Sequence, residues 1–95
     1  MRIVWSSVAW ADIDRLHAFL ADQNPNAADA VMDNLAACPS EPQDFPRRGS
    51  RLSEFDPREI REFRVGYYLL RYELRGSEIL VLKFFHARED RPLLL

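Results

Sequence analysis

The side chains best suited to acid–base or nucleophilic chemistry in this sequence are two histidines and one cysteine. They lack the spacing of known catalytic motifs, since there is no Gly-rich phosphate loop, Gly-x-Ser-x-Gly elbow or cysteine–histidine pair in a recognised context. Two histidines and the lone Cys38 also cannot form a three-histidine or a cysteine zinc site. We therefore expect neither a metal nor a cofactor.

His86 is the histidine whose position favours a binding role. It ends the last predicted strand, beside Arg88 and Arg91, and lies across from the predicted strand that carries Arg64. A strand end beside a basic patch suits a polyanion or an acidic peptide. It equally suits a structural histidine bonded to a carboxylate, and the sequence leaves both interpretations open. His17, on a predicted helix, is interpreted as a structural or surface residue.

Arginine dominates the basic residues, with twelve arginines and a single lysine. Residues 1–46 carry seven acids and two arginines, a net charge of −5, whereas residues 47–95 have a net charge of +3. A guanidinium offers a planar fork of donors that suits phosphate or carboxylate groups. The alternative for any single arginine is a solvated charge that pairs with a nearby glutamate.

The length of 95 residues predicts one small domain, residues 1–95. Hydrophobic residues make up 47% and charged residues 29%, which is typical of a folded globular protein and excludes a disordered or collagen-like chain. No apolar run approaches the ~18 residues of a membrane-spanning helix, and the start of the chain does not resemble a signal peptide. We therefore expect a cytoplasmic protein, with which the single cysteine agrees.

The N-terminal half predicts a short strand and two helices. Residues 1–5 form the strand, and the serine pair after it caps a helix that runs to about Asp22. Asn24 and Pro25 suit the N-cap and first position of a second helix, which ends at Pro39. Buried positions recur at helical spacing: Ala9, Ile13, Leu16 and Leu20, then Ala28, Val31, Leu35 and Cys38. The short connection predicts an antiparallel helix hairpin.

Residues 39–57 differ in composition from both flanking segments. Four prolines and Gly49 argue against a continuous helix or a central strand in this segment. We interpret it as an ordered loop that presents Arg47, Arg48 and Arg51 together.

Three further strands are predicted at residues 61–65, 67–74 and 78–85, joined by glycine-containing turns. Residues 79–82 are apolar on both faces, which favours a central position for the last strand. The predicted fold class is α+β: a short N-terminal strand, an antiparallel helix hairpin and a three-stranded antiparallel meander that forms one sheet packed on the helices. The first strand must pair with an edge of the meander to satisfy its backbone groups.

Four segments carry motifs in a characteristic order over nearly the whole chain. Residues 5–13 end a strand and continue as Ala-x-x-Asp-Ile, and residues 46–52 read Pro-Arg-Arg-Gly-Ser-Arg-Leu. Residues 61–74 and 79–90 are the strand patterns that follow. Together these segments resemble the RelE/ParE toxin superfamily, which has the element order predicted above.

The resemblance implies one of two activities. One branch cleaves mRNA on the ribosome, which requires several cations and an acid–base group around the ribose 2′-hydroxyl and the phosphate. Arg64, His86 and Arg88 match that set in part. Glu62, however, stands where another cation is expected, and Leu69 (or the preceding tyrosine, if the alignment shifts by one residue) stands where an arginine is expected.

The ParE-like branch keeps the fold without that cation cluster, and this sequence departs from the nuclease pattern in the same direction. The resemblance therefore implies a type II toxin without catalytic residues, which inhibits DNA gyrase by protein–protein contact. It also implies a hetero-oligomer with a neutralising ParD-like antitoxin, through which alone the toxin contacts operator DNA. The alternatives are a ribosome-dependent mRNA endonuclease and a degenerate member that only binds an antitoxin.

The expected antitoxin segment is acidic and amphipathic and folds on binding. The arginines predicted to bind the carboxylates of this segment are Arg47, Arg48, Arg51, Arg64 and Arg88. The candidate apolar anchors are Trp5, Trp10 and Phe19. Ordinary core packing is the alternative interpretation of the two tryptophans.

Overall fold

The computed structural model describes residues 1–37 and 39–87, and its five strands form one sheet in the order β1-β5-β4-β3-β2. The elements in chain order are β1 (Arg2–Trp5), α1 (Ser7–Gln23), α2 (Pro25–Ala37), α3 (Ser40–Asp44), β2 (Ser50–Arg51), a 3₁₀ turn (Ser53–Phe55), β3 (Ile60–Val65), β4 (Tyr68–Arg75) and β5 (Glu78–His86). The predicted α+β class, helix hairpin and antiparallel meander are confirmed.

Both long helices begin at the predicted caps. The Ser6 hydroxyl accepts a hydrogen bond from the Ala9 amide at 3.0 Å, which satisfies one of the free amides in the first turn of α1. The Asn24 side chain accepts from the Ala27 amide at 3.2 Å and begins α2 in the same way. Ala9, Ile13 and Leu16 of the predicted stripe of α1 are buried in the core with Leu35 of α2, whereas Leu20 is only half-buried. Cys38 lies outside the described residues.

Strand β1 pairs in parallel with β5, so the predicted pairing of the first strand with an edge of the meander is confirmed. β5 therefore lies inside the sheet, between β1 and β4. Beyond the end of β1, side chains at the start of α1 form hydrogen bonds with backbone groups of β5. The Ser6 hydroxyl donates to the Leu82 carbonyl at 3.0 Å, and the Asp12 carboxylate accepts from the Phe84 amide at 3.1 Å. These contacts fix the position of α1 on the sheet.

A β-bulge changes which side chains of β5 face the helices. Val81 pairs with Tyr72 and Lys83 pairs with Arg71, so Leu82 is the extra residue on this strand. Side chains alternate between the two faces of a strand, and the extra residue shifts that alternation by one. As a result Phe84, and not Lys83, packs into the core.

The interpretation of residues 39–57 as a loop is wrong in part, because the segment contains α3, β2 and the 3₁₀ turn. Its prolines tolerate α3, since Pro42 lies in the first turn of the helix, where the amides have no partner within the helix. β2 has two residues and pairs with β3 at the edge of the sheet. A continuous helix and a central strand are both absent from this described segment, as predicted.

Candidate functional site

One face of the sheet packs on the helices, and the other, which we call the outer face, carries most of the charged strand residues. Side chains directly opposite each other on paired strands share a face. Leu70 and Tyr72 of β4 face the helices, so the alternating residues between and beside them face outward. The outer face of the three central strands includes the following residues: Glu62, Arg64, Leu69, Arg71, Glu73, Lys83 and Phe85.

A buried ion pair occupies the centre of the outer face. Two nitrogens of Arg71 donate to one carboxylate oxygen of Glu62, at 3.1 Å and 2.7 Å. The two side chains are only 3% and 10% exposed. The guanidinium also lies 5.5 Å from the ring centre of Phe55 and 5.0 Å from that of Phe85. Glu62 thus neutralises this arginine within a partly aromatic enclosure.

A second cluster of charges surrounds Glu73 on the same face. Arg58 donates to both oxygens of this carboxylate, at 2.9 Å and 2.7 Å, and Arg75 donates to one of them at 3.0 Å. The hydrogen bond from Arg58 lowers the pKa of Glu73, and this effect outweighs burial, which raises it. Glu73 is therefore a structural carboxylate that stays ionised near neutral pH.

Glu59 holds two arginines beside the start of β3. Arg61 donates to it at 2.9 Å and Arg47 at 3.1 Å. Burial raises the pKa of Glu59, but the hydrogen bonds and charges of these arginines outweigh that effect and lower the net value. Arg61 also donates to the Gly49 carbonyl at 2.7 Å, which ties the segment before β2 to β3.

The three predicted binding arginines of this segment are presented at the β2 edge of the sheet. The Arg47 side chain is 70% exposed although it contacts Glu59. Arg51 pairs with Asp56 at 2.9 Å, and its side chain is 41% exposed. Arg48 is exposed in the turn before β2. Exposed ion pairs of this kind contribute about 0–1 kcal/mol, so a partner's carboxylate can replace the internal one at small cost.

Arg64 and His86 do not share a site. Arg64 lies in the row Arg64–Leu69–Phe85 on the outer face, and His86 lies opposite Tyr68 in the neighbouring row, which faces the helices. Arg64 donates to the Gly66 carbonyl at 2.9 Å. His86 contacts the Tyr68 ring edge-on, with ring centres 5.4 Å apart. Arg88 lies outside the described residues.

Tyr72 fixes residues 46–51 to the core. These residues carry Arg47, Arg48 and Arg51, and we call them the arginine segment. Its buried hydroxyl donates to the Pro46 carbonyl at 2.8 Å and accepts from the Gly49 amide at 3.0 Å. Gly49 leaves no room for a side chain, since a Cβ there would lie 2.7 Å from the Glu62 carbonyl oxygen and 2.8 Å from the Tyr72 hydroxyl. The position of Arg47 and Arg48 therefore depends on these contacts.

Of the predicted apolar anchors, Trp5 ends strand β1, and Trp10 and Phe19 lie on helix α1. Trp5 stacks between Trp10, at 4.4 Å between ring centres, and Phe84, at 5.3 Å. Trp5 thus packs against the core, whereas Trp10 is 49% exposed at the end of the stack. Phe19 and Val8, also on α1, are 59% and 46% exposed. Helical spacing places Val8 and Phe19 on one flank of α1 and Trp10 on the opposite flank, so exposed apolar side chains border the buried stripe on both sides.

Sequence reasoning did not single out Arg71 and Phe55, which enclose the buried ion pair with Glu62, or Tyr72, which binds the backbone at Pro46 and Gly49. Arg71 stands in an apolar run, where a charged residue signals a buried partner. The identity of that partner depends on the register between β3 and β4, which brings Glu62 opposite Arg71. Local sequence does not specify this register.

Two kinds of feature are absent from the part of the chain that the structure describes. Within residues 1–37 and 39–87, no three His, Cys, Asp or Glu side chains are grouped so that they can hold a metal ion. None of the helices in those residues has the length and apolar character that crossing a bilayer requires.

Comparisons with known proteins identify relatives of this chain. A family model described as the ParE toxin of the type II toxin-antitoxin system parDE matches residues 3–91. A solved structure from P. aeruginosa, described as a chromosomal ParDE TA system, is 18% identical and superposes with a TM-score of 0.78 over 93% of this chain and 97% of that chain. At this identity the likeness shows the fold alone. No curated protein matches the sequence.

Proposed function

This chain belongs to the ParE toxin family of type II toxin–antitoxin systems, and from that membership we propose that it inhibits DNA gyrase by protein–protein contact and is neutralised by a ParD-like antitoxin. The family that the sequence resembles is confirmed. Inhibition of gyrase requires the toxin to act in the cytoplasm. The antitoxin forms a hetero-oligomer with the toxin and supplies the contact with operator DNA.

The observation that favours protein contact over RNA cleavage is the separation of Arg64 from His86. A nuclease needs its cations and its acid–base group around one phosphate. Arg64 and His86 project from opposite faces of the sheet, with β4 between their strands. The buried cation nearest the centre of the outer face, Arg71, is already bound by Glu62.

Two surfaces are proposed for the antitoxin. Apolar side chains of its amphipathic segment pack on one of the two exposed flanks of α1, which carry Trp10 and Phe19 respectively. Its carboxylates bind the arginine segment, Arg47, Arg48 and Arg51, with Arg64 and Arg88 as further candidates. The excess of acids in residues 1–46 repels an acidic segment from other parts of the helix hairpin and directs it toward these arginines.

The test compares two activities of the same purified chain. Added to a gyrase supercoiling reaction, the toxin is expected to block supercoiling, and added ParD-like antitoxin is expected to restore it. In a translation reaction programmed with mRNA, the same toxin preparation is expected to leave the mRNA intact on the ribosome.

Each alternative has a distinct outcome in this test. Cleavage of ribosome-bound mRNA that is lost in Arg88→Ala would replace the proposal with the endonuclease. A chain that binds antitoxin but affects neither reaction would be a binding-only member. The control variant is Ser77→Ala, in the turn between β4 and β5 and away from the proposed surfaces. It should behave like the wild-type protein in both reactions.

A further inference from the structure

The turn at the start of the arginine segment carries an exposed aromatic ring. Phe45 directly follows α3 and is 59% exposed. The Arg48 amide donates to the Phe45 carbonyl at 3.0 Å, so residues 45–48 form a four-residue turn. Such a turn brings its first and fourth α-carbons within about 7 Å of each other. The Phe45 ring and the Arg48 guanidinium are therefore attached at neighbouring points of the surface.

The charge around this ring is positive along the chain. From Phe45 to Ser53 the sequence contains three arginines and no acid. Arg48 is exposed, and the Arg47 side chain is 70% exposed. Asp44, which ends α3, is the acid that precedes the ring. A negatively charged partner therefore meets an apolar ring that is followed by several guanidinium groups.

The arginines of this segment already bind carboxylates. Arg47 donates to Glu59 at 3.1 Å, and Arg51 donates to Asp56 at 2.9 Å. Both arginines reach solvent, and exposed ion pairs are weak enough for a partner's carboxylate to replace the internal one. The net charge of the chain is −2, which opposes the approach of a polyanion such as a nucleic acid. These contacts favour the carboxylates of a peptide over the phosphates of a nucleic acid.

The backbone beside the ring is held in place by the sheet. The Tyr72 hydroxyl donates to the Pro46 carbonyl at 2.8 Å, and Arg61 donates to the Gly49 carbonyl at 2.7 Å. A surface that is ordered in advance loses less conformational entropy when a partner binds. The ring and the guanidinium groups therefore form a fixed pattern that a partner can match.

We propose that Phe45 is the apolar anchor of the arginine segment, and that this surface docks an acidic peptide segment with a large aliphatic side chain among its carboxylates. The aliphatic side chain packs on the Phe45 ring, while the carboxylates on either side of it bind the arginines. The inference rests on the proposed function only in that the ParD-like antitoxin supplies this segment.

Two synthetic peptides added to the full chain test this inference. One peptide has a central leucine with three glutamates on each side, and the other has glutamine in place of the leucine. Both carry fluorescein, and fluorescence anisotropy at low salt measures their dissociation constants. We expect the leucine peptide to bind about 5-fold more tightly, because its leucine leaves water on the Phe45 ring. Equal affinities, or no binding of either peptide, would overturn the inference.

Variants of the protein locate the preference for leucine. Phe45→Ser should abolish this preference and leave the affinity for the glutamine peptide unchanged. Tyr67→Ser removes a ring that is 66% exposed in the β3–β4 turn and is the matched control, which should retain the preference. Both positions are exposed, so neither change is expected to unfold the protein. A preference that persists in Phe45→Ser, or that is lost equally in Tyr67→Ser, would overturn the inference.

A third probe compares the peptide with a nucleic acid. A fluorescein-labelled oligothymidylate with the same net charge as the leucine peptide should bind more weakly than that peptide. Tighter binding of the oligothymidylate would overturn the assignment of this surface to a peptide. None of these measurements contains gyrase or an antitoxin, so their failure leaves the supercoiling test of the proposed function unaffected, and the reverse also holds.

Discussion

At the scale of single residues, arginines of this protein bind its own glutamates before they meet any partner. Glu62, Glu73 and Glu59 each accept hydrogen bonds from one or two guanidinium groups. Arg71 and Glu62 form the most buried pair. The Glu62 carboxylate binds the Arg71 guanidinium in the way that an RNA phosphate would bind it in a nuclease. The outer face is therefore a neutralised surface at its centre.

Removing one member of the buried pair is expected to destabilise the fold. Glu62→Ala leaves the Arg71 charge without its carboxylate in a site that is 3% exposed, and such changes cost about 3 kcal/mol or more. The double variant Glu62→Leu/Arg71→Met removes both charges and is expected to recover most of that loss. Urea unfolding of the three proteins measures the difference. A single variant as stable as the wild type would contradict the interpretation.

The Tyr72 hydroxyl is expected to stabilise the arginine segment through its two hydrogen bonds. Tyr72→Phe leaves the Pro46 carbonyl and the Gly49 amide unpaired, which costs about 1–3 kcal/mol. Limited proteolysis near residues 45–51 should accelerate in this variant. Tyr67→Phe, at an exposed position, is the matched control and should change neither stability nor cleavage.

At the scale of elements, the segment between α2 and β3 is irregular but closely held. Its contacts come from strands that follow it in the chain: Tyr72 of β4 and Arg61 of β3 both bind its backbone. Gly49 is the closest point of approach. Arg47 and Arg48 are therefore ordered by contacts with the sheet, whereas Arg51 lies in its edge strand β2.

Two glycine substitutions distinguish steric from conformational effects. Gly49→Ala brings a Cβ within 2.7 Å of a backbone carbonyl oxygen and is expected to destabilise the protein strongly. Gly66→Ala meets open space but keeps a φ of +59°, and its cost should be about 1 kcal/mol. Asparagine tolerates positive φ, so Gly66→Asn should recover part of that loss, whereas Gly49→Asn should not. Thermal unfolding compares the four variants, and equal effects of Asn at both positions would contradict this account.

The ion pairs of Glu59 and Glu73 predict a loss of stability in acid. Folding lowers the pKa of Glu59 and Glu73, so their contribution is complete above the unfolded value of about 4.3. It is lost as the pH falls through the lower folded values. Urea unfolding should therefore give a constant contribution near neutral pH and a decrease below about pH 4.3. An equally steep decrease in Glu73→Gln would show that Glu73 is not involved.

At the scale of the whole molecule, charge is divided along the chain, with −5 in residues 1–46 and +3 in residues 47–95. The helices lie in the first part and the arginine segment and three central strands in the second. An acidic partner approaching this molecule is attracted to one part and repelled by the other. The charges of this protein therefore orient the acidic partner before the two molecules make contact.

Association with a ParD-like antitoxin is expected to depend on this division. Arg48→Glu/Arg51→Glu should lower the association rate constant about 10-fold at low salt and have a smaller effect on dissociation. Raising the salt concentration should reduce the difference. Arg2→Glu, on β1 at the opposite edge of the sheet from β2, is the control and should have less effect. Stopped-flow mixing measures the association and dissociation rate constants of each variant. An unchanged association rate constant in the double variant would exclude the arginine segment as the binding site of the acidic partner.

The sequence by itself determined the order and type of the main elements. Caps at Ser6 and Asn24 are local signals and were found where they were predicted. Most of the described stripe positions are buried as well, and the alternation predicted for residues 61–65 holds in β3. Local signals do not report register, so the Glu62–Arg71 pair and the contacts that order residues 46–49 were not predictable. The short helix and strand within residues 39–57 were not predicted. Elements of two to five residues give a weak sequence pattern, and the prolines of this segment argue against regular structure.

The face of the sheet on which His86 lies was decided by tertiary structure alone. Without the extra residue Leu82, strict alternation would turn His86 outward, to the face of Arg64, and would turn Lys83 into the core. The bulge places Phe84 in the core instead, where an aromatic side chain is stable and an ammonium group is not. The requirement to bury Phe84 thus separates the histidine from the arginine that the linear sequence associated with it.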